Sequence, residues 1–161
     1  MAAQAEPGTT RRMTPRRLDP AVIQDRLREI QLLLADLVEV GEVDAERLRR
    51  ERPTRHVVER VLSQIVELAG SINTHIVAAL LGRSPESYAD SFDEVARAGV
   101  LEWDLAAALR PSAGMRNVLV HDYLEVDHGK VSAAIPLALE QYGQYVRHVA
   151  RWLRGYTADP S

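Results

Sequence analysis

The chain has 161 residues and no cysteine, so one core suffices to organise it, and disulfides, a thiolate nucleophile and cysteine-ligated zinc are all excluded. Its net charge of −3 argues against a broad non-specific nucleic-acid binder, which depends on a basic surface to release phosphate counterions, though a local basic site remains open. Hydrophobic residues make up 46% and aromatics only 5%, a mix dominated by Leu, Val, Ala and Ile that suits packed helices.

Residues 1–19 are rich in Ala, Thr, Pro, Gly and Arg with few apolar anchors and read as a flexible arm, in which Arg11, Arg12, Arg16 and Arg17 are candidates for touching RNA or a partner. No apolar run of signal-peptide length occurs there, and no segment gives about 18 uninterrupted apolar residues. A soluble, cytoplasmic protein that does not engage a membrane is the expectation.

The first helix is signalled in "LDPAVIQDRLREIQLLLADLVEV", where Asp19 suits the N-cap, Pro20 the first helical position, and Gly41 follows the end. Val22, Ile23, Leu27, Ile30, Leu33, Leu34, Leu37 and Val38 form one apolar face. "GEVDAERLRRERPT" reads as a solvated, charged connection with at most a short helical turn. A second long helix begins at Pro53 or Thr54 and ends at "GRSP". Two shorter helices separated near Gly99 follow, with Ser84 or Ser91 as cap candidates and Pro111 closing the section. "SAGMRNVLVHDYLEVDHGK" is a fourth helical unit, and a last helix holds Pro136 in its first turn or is kinked by it. The spacing thus predicts an all-α fold: an up-and-down bundle of four to five helices over residues 20–156, followed by a disordered tail over 157–161.

The chemistry concentrates in "RNVLVHDY". On a helix Asn117 and His121 share a face, whereas Arg116 and His121 lie roughly 140° apart. Bringing those two together requires a curled arginine, an irregular helix, or a second copy of the motif. Gly114 allows a helix to start just ahead of Arg116, where free N–H groups would favour an anion. A histidine of near-neutral pKa beside an arginine able to grip phosphate bidentately is a minimal set for RNA transphosphorylation without a metal. The histidine would take the proton of a 2′-hydroxyl while the arginine holds the phosphate as charge develops.

"MRNVLVHDYLEVD" resembles the R-x4-H-x-Y signature of the HepT family of HEPN-domain toxins, with Arg116, His121 and Tyr123 in its named positions. "PESYADSFDEVARAGVLEWDLAAALRP" and "HVVERVLSQIVELAGSINTHIV" resemble the flanking helices of that family, so that the likeness covers roughly residues 20–155. The resemblance implies a homodimeric HEPN-type bundle with two Arg-His pairs meeting in the cleft between subunits. It implies a ribonuclease toxin, an endoribonuclease or a tRNA-trimming one, needing no cofactor of its own. It also implies a partner, an MntA-type minimal nucleotidyltransferase antitoxin that uses ATP to place AMP on the motif tyrosine. By position, Arg116 would bind phosphate, His121 act as acid or base, Asn117 assist, and Tyr123 accept AMP. The acidic Asp122 departs from the small or neutral residue common there, and could raise the His121 pKa or repel RNA. The alternative on the same fold is a catalytically inactive HEPN module that binds nucleotide or assists a nucleotidyltransferase; a purely structural helical dimer is a third.

Other candidates fit bland roles. His75 reads as a hydrogen-bonded core or interface residue, and His56 and His128 as solvent-facing. His148 and Glu140 lack the spacing of a metal site. Gly70 reads as a point of close helix packing, and Trp103, Tyr142, Tyr145 and Trp152 as core or dimer contacts.

Overall fold

The computed structural model describes residues 17–121 and 126–159, excepting the side chains of residues 117, 118, 120 and 121. The elements are α1 (Pro20–Val40), α2 (Ala45–Arg50), α3 (Arg52–Leu81), α4 (Tyr88–Arg97), α5 (Trp103–His121) and α6 (His128–Ala158), six helices among the described residues against the four or five expected. No strand occurs among the described residues.

Helix α1 starts where its local signals put it. The Asp19 carboxylate accepts the backbone N–H groups of Ala21 and Val22, satisfying donors that the first turn leaves orphaned, and Pro20 follows at a position that needs no N–H. Ile23, Leu27, Ile30, Leu33 and Leu37 are its buried stripe. Packing begins slightly before the helix, because Leu18 is buried in the core; α6 likewise runs two residues into the segment read as a tail.

The extra helix is α2, in the charged connection for which the sequence allowed a short helical turn. Asp44 caps it by accepting the Arg47 N–H, and Leu48 is completely buried, so one apolar anchor fixes the turn. Arg47 ties the surrounding loop, donating to the carbonyls of Val40 and Glu42 and to Glu51. That arginine, followed by Thr54 as a second donor, holds the Glu51 carboxyl below the usual carboxylate range.

Helix α3 is the centre of the fold and packs against every other helix. It is the one helix among the described residues long and apolar enough to cross a membrane. Val58, Val61, Ile65, Ile72 and Ile76 of this helix are buried against its neighbours, while Val57, Leu80 and Leu81 are exposed. It ends at Gly82, whose φ of 67° is a left-handed conformation that glycine adopts without a Cβ penalty. His75 accepts the Asp19 N–H at 3.0 Å, joining α3 to the start of α1 as a hydrogen-bonded residue. Beneath, the Tyr145 hydroxyl of α6 donates to the Asn73 amide oxygen at 2.7 Å, and the Asn73 amide nitrogen donates to the Ser91 hydroxyl of α4. Ser91 is therefore a buried network member; the residue that caps α4 is Ser87, through the Asp90 N–H.

Two prolines behave differently from their local reading. Pro111 does not close a helix but lies inside α5, exposed, with Leu109 and Ala113 buried on either side of it in sequence. Burial of that face keeps the helix going, and the Ser112 hydroxyl donates to the Leu109 carbonyl nearby. Pro136 is well past the first turn of α6, which starts at His128 with Asp127 as its cap. His128, expected in a turn, thus opens a helix and is half-buried, while His56 is exposed.

Candidate active site

Helix α5 carries the first half of the motif. Because it runs unbroken from Trp103 to His121, Gly114 is a mid-helix residue and the helix start proposed ahead of Arg116 does not exist. No anion site formed by free N–H groups is available at that point. The helical separation of roughly 140° between Arg116 and His121 therefore stands, which leaves a curled arginine or a second copy of the motif to unite them.

Arg116 is half-buried, and two other helices converge on its side chain. From α3, Glu67 accepts both Nε and Nη2 of the guanidinium on its Oε1, at 3.2 and 2.9 Å. From the start of α4, the Tyr88 ring lies with its centroid 5.8 Å from Cζ. Gly70, one turn beyond Glu67, makes room for that ring: a Cβ there would fall 2.5 to 2.8 Å from three of its carbons. The close approach expected at Gly70 is thus made by a side chain of α4. Partly solvated ion pairs contribute about 0–1 kcal/mol, so the bond to Glu67 matters more for orientation than for stability. It occupies the Nε–Nη2 edge of the guanidinium and leaves the Nη1–Nη2 edge, which has the fork geometry that matches two phosphate oxygens.

Arg116 also borders an apolar cleft of about 200 Å³ between α3, α5 and α6. Leu62, Ile65, Met115, Leu119 and Leu137 line it, and Leu137 is 52% exposed although large and apolar. At its floor the Tyr142 and Ser112 hydroxyls share a hydrogen bond of 2.6 Å; burial pushes that phenol well above its ordinary pKa. Tyr142 and Tyr145 are core residues as expected, and Trp152 stacks on Tyr156 with ring centroids 5.3 Å apart. Trp103 is 55% exposed and so is not a core residue of the single chain.

Of the motif residues Arg116, Asn117, His121 and Tyr123, only Arg116 has a described side chain. Asn117 and His121 are placed by their backbone in α5, while Tyr123 and Asp122 lie outside the described residues, as do the arginines of the arm up to Arg16. Glu67 and Tyr88 escaped the sequence reading. The available signal was Glu67 facing the same side of α3 as Gly70, a pairing that points nowhere until the partner helices are known. Among the described residues, no group of three or more His, Asp or Glu side chains could hold a metal ion.

Residues 23–149 match the ribonuclease HepT-like family. Among curated proteins, the tRNA nuclease HepT of Aphanizomenon flos-aquae is 33% identical over 138 residues, covering 84% of this chain and 92% of that protein. Among solved structures, the tri-AMPylated HEPN toxin of Shewanella oneidensis in complex with MNT antitoxin superposes with a TM-score of 0.72 at 23% identity, over 81% of this chain and 97% of that one. YutE of Bacillus subtilis, a cytosolic protein of unknown function, gives a TM-score of 0.76 at 18% identity, over 89% of this chain and 96% of that one. At such identities the two structures speak to the fold.

Proposed function

The chain belongs to the ribonuclease HepT-like family, and from that premise we propose that it is the toxin of a toxin–antitoxin pair, a cytoplasmic ribonuclease acting on tRNA. The observation that carries this reading is the fixed guanidinium of Arg116, with one edge held by Glu67 and the other suited to a phosphate, five positions before His121.

In this mechanism the scissile phosphate sits on the Nη1–Nη2 edge of Arg116. His121 takes the proton from the neighbouring 2′-hydroxyl, the 2′-oxygen attacks phosphorus, and the P–O5′ bond breaks as the leaving oxygen gains a proton. Arg116 offsets the charge that builds on the phosphoryl oxygens. Every step uses side chains, so the reaction is metal-independent and the protein needs no cofactor. Asn117 lies on the face of α5 that His121 shares, and assists by orienting the imidazole or the phosphate.

A second subunit completes the site. The apolar cleft that borders Arg116, with Leu137 exposed at it, supports a homodimer in which two Arg-His pairs share one groove. Regulation comes from an MntA-type nucleotidyltransferase antitoxin. It transfers AMP from ATP to the Tyr123 hydroxyl, forming a phosphodiester and releasing pyrophosphate. A phosphate charge and an adenosine next to His121 would repel and obstruct RNA without refolding the protein. The AMPylated state of the Shewanella oneidensis toxin supports this assignment.

The test is incubation of AMP-free protein with bulk tRNA in EDTA, wild type against His121→Ala. Fragments from wild type alone support the reading; intact tRNA in both samples overturns it.

A further inference from the structure

The convergence on Arg116 contains a contact that the catalytic scheme does not use. Tyr88 is the first residue of α4, and its ring lies against Gly70 so closely that any Cβ at that position would meet Cγ, Cδ1 and Cε1 at 2.5 to 2.8 Å. A ring pressed onto the backbone of α3 cannot swing in that direction. The guanidinium of Arg116 then lies within 5.8 Å of the ring centroid, inside the range in which an aromatic face attracts a cation.

Helix α4 is itself fastened on both sides. Arg110 of α5 bridges to Asp90 and Asp93, and Arg83 grips Glu94 with two bonds at 3.0 and 2.6 Å. Below, Ser91 donates to the Tyr88 carbonyl at 2.6 Å and accepts from the buried Asn73 amide. The position of the ring is therefore set by the core and not by the rotamer of one side chain.

We propose that Tyr88, seated on Gly70, is a positioning residue for Arg116: its ring draws the guanidinium to one side while Glu67 fixes which edge is occupied. This deepens the function proposed above and rests on it. An arginine has several rotatable bonds and is entropically expensive to hold still. A ring on one side and a carboxylate on one edge remove most of that freedom before substrate arrives. The Tyr88 hydroxyl has no part in this, so phenylalanine should serve equally well.

The experiment combines a structural readout with activity on the full chain. The Nε–H resonance of Arg116, assigned by its disappearance in Arg116→Lys, is followed in wild type, Tyr88→Phe, Tyr88→Leu and Gly70→Ala by proton–nitrogen spectroscopy. The Phe variant should keep the wild-type shift and slow exchange. In the Leu variant the ring-current shift is lost and exchange accelerates. Gly70→Ala should do the same by displacing the ring, although alanine is the better helix former and leaves α3 intact.

Cleavage of bulk tRNA should follow in parallel. For Tyr88→Leu and Gly70→Ala, kcat should fall on the order of tenfold when each is assayed well below its own melting temperature, and Tyr88→Phe should match wild type. An Arg116 resonance unchanged in both Tyr88→Leu and Gly70→Ala overturns the positioning role, whatever the activity. If those spectra change as expected while Arg116→Lys cleaves tRNA as fast as wild type, it is the catalytic reading of Arg116 that fails. If Tyr88→Leu does not fold, Gly70→Ala alone decides.

Discussion

Arg116 and Glu67 are 49 residues apart in the chain and 2.9 Å apart in space. The contact joins α5, which carries Arg116 and His121 of the R-x4-H motif, to α3, the helix around which the fold is built. It turns a flexible cation into an oriented one, and orientation is what separates an arginine that decorates a helix from one that can grip a phosphate through two bonds.

Arg116→Lys is the most informative change at this position. Lysine keeps the charge but has no fork, so phosphate would be held at one point and the Glu67 contact would no longer set an edge. Cleavage of tRNA should fall by about 10²–10³-fold, the range for removing one preorganised charge-stabilising donor, while RNA binding falls much less. Single-turnover rates at saturating protein check this.

The cleft beside Arg116 predicts the assembly state. Leu137→Glu puts a charge among Leu62, Met115 and Leu119 at a site that is exposed in one copy. The wild type should scatter light as a dimer at micromolar concentration, and the variant should shift to a mass near 18.0 kDa. A monomeric wild type would remove the shared groove from the account.

For regulation, wild type incubated with ATP and the partner nucleotidyltransferase should gain mass in steps of one AMP group, and lose nuclease activity as it does so. Tyr123→Phe should gain none and stay active. Intact-protein mass spectrometry reads both, and equal labelling of the two would move the acceptor elsewhere.

The buried tyrosines make the fold sensitive to alkali. Burial holds the Tyr142 and Tyr145 hydroxyls well above the ordinary value of 10.0, and for Tyr145 the neighbouring Tyr142 adds to the shift. Once unfolded, both phenols ionise near their ordinary pKa while the folded ones stay neutral. Their contribution is thus complete below about pH 10 and lost as the pH rises further. Urea midpoints should be level through neutrality and drop above that point. Tyr145→Phe should flatten the drop, and cost about 1–3 kcal/mol at neutral pH by leaving Asn73 without its donor.

How much of this could be read from residues alone follows from the range of each interaction. The start of α1 was legible because Asp19, Pro20 and the apolar stripe act within a few residues of one another. Helix α2 was legible only as a short helical turn in a charged connection, since six residues carry no period and the burial of Leu48 depends on the neighbouring helices. Pro111 was misread as a stop because a local rule met a helix whose neighbouring residues are buried on both sides of it. With it went the helix start at Gly114. At the site, Arg116 was legible through the spacing of its motif, whereas Glu67 and Tyr88 depend on how three helices register against one another, which no spacing within one helix encodes.

The central claim is that Arg116 and His121 together cut RNA. Its most direct test is the rate at which AMP-free protein cleaves bulk tRNA in EDTA, wild type against Arg116→Ala and His121→Ala, with folding of each checked by circular dichroism. The account predicts fragments from wild type and a loss of at least about 10²-fold in each variant. Cleavage at the wild-type rate by either folded variant, or tRNA left intact by wild type, would contradict it.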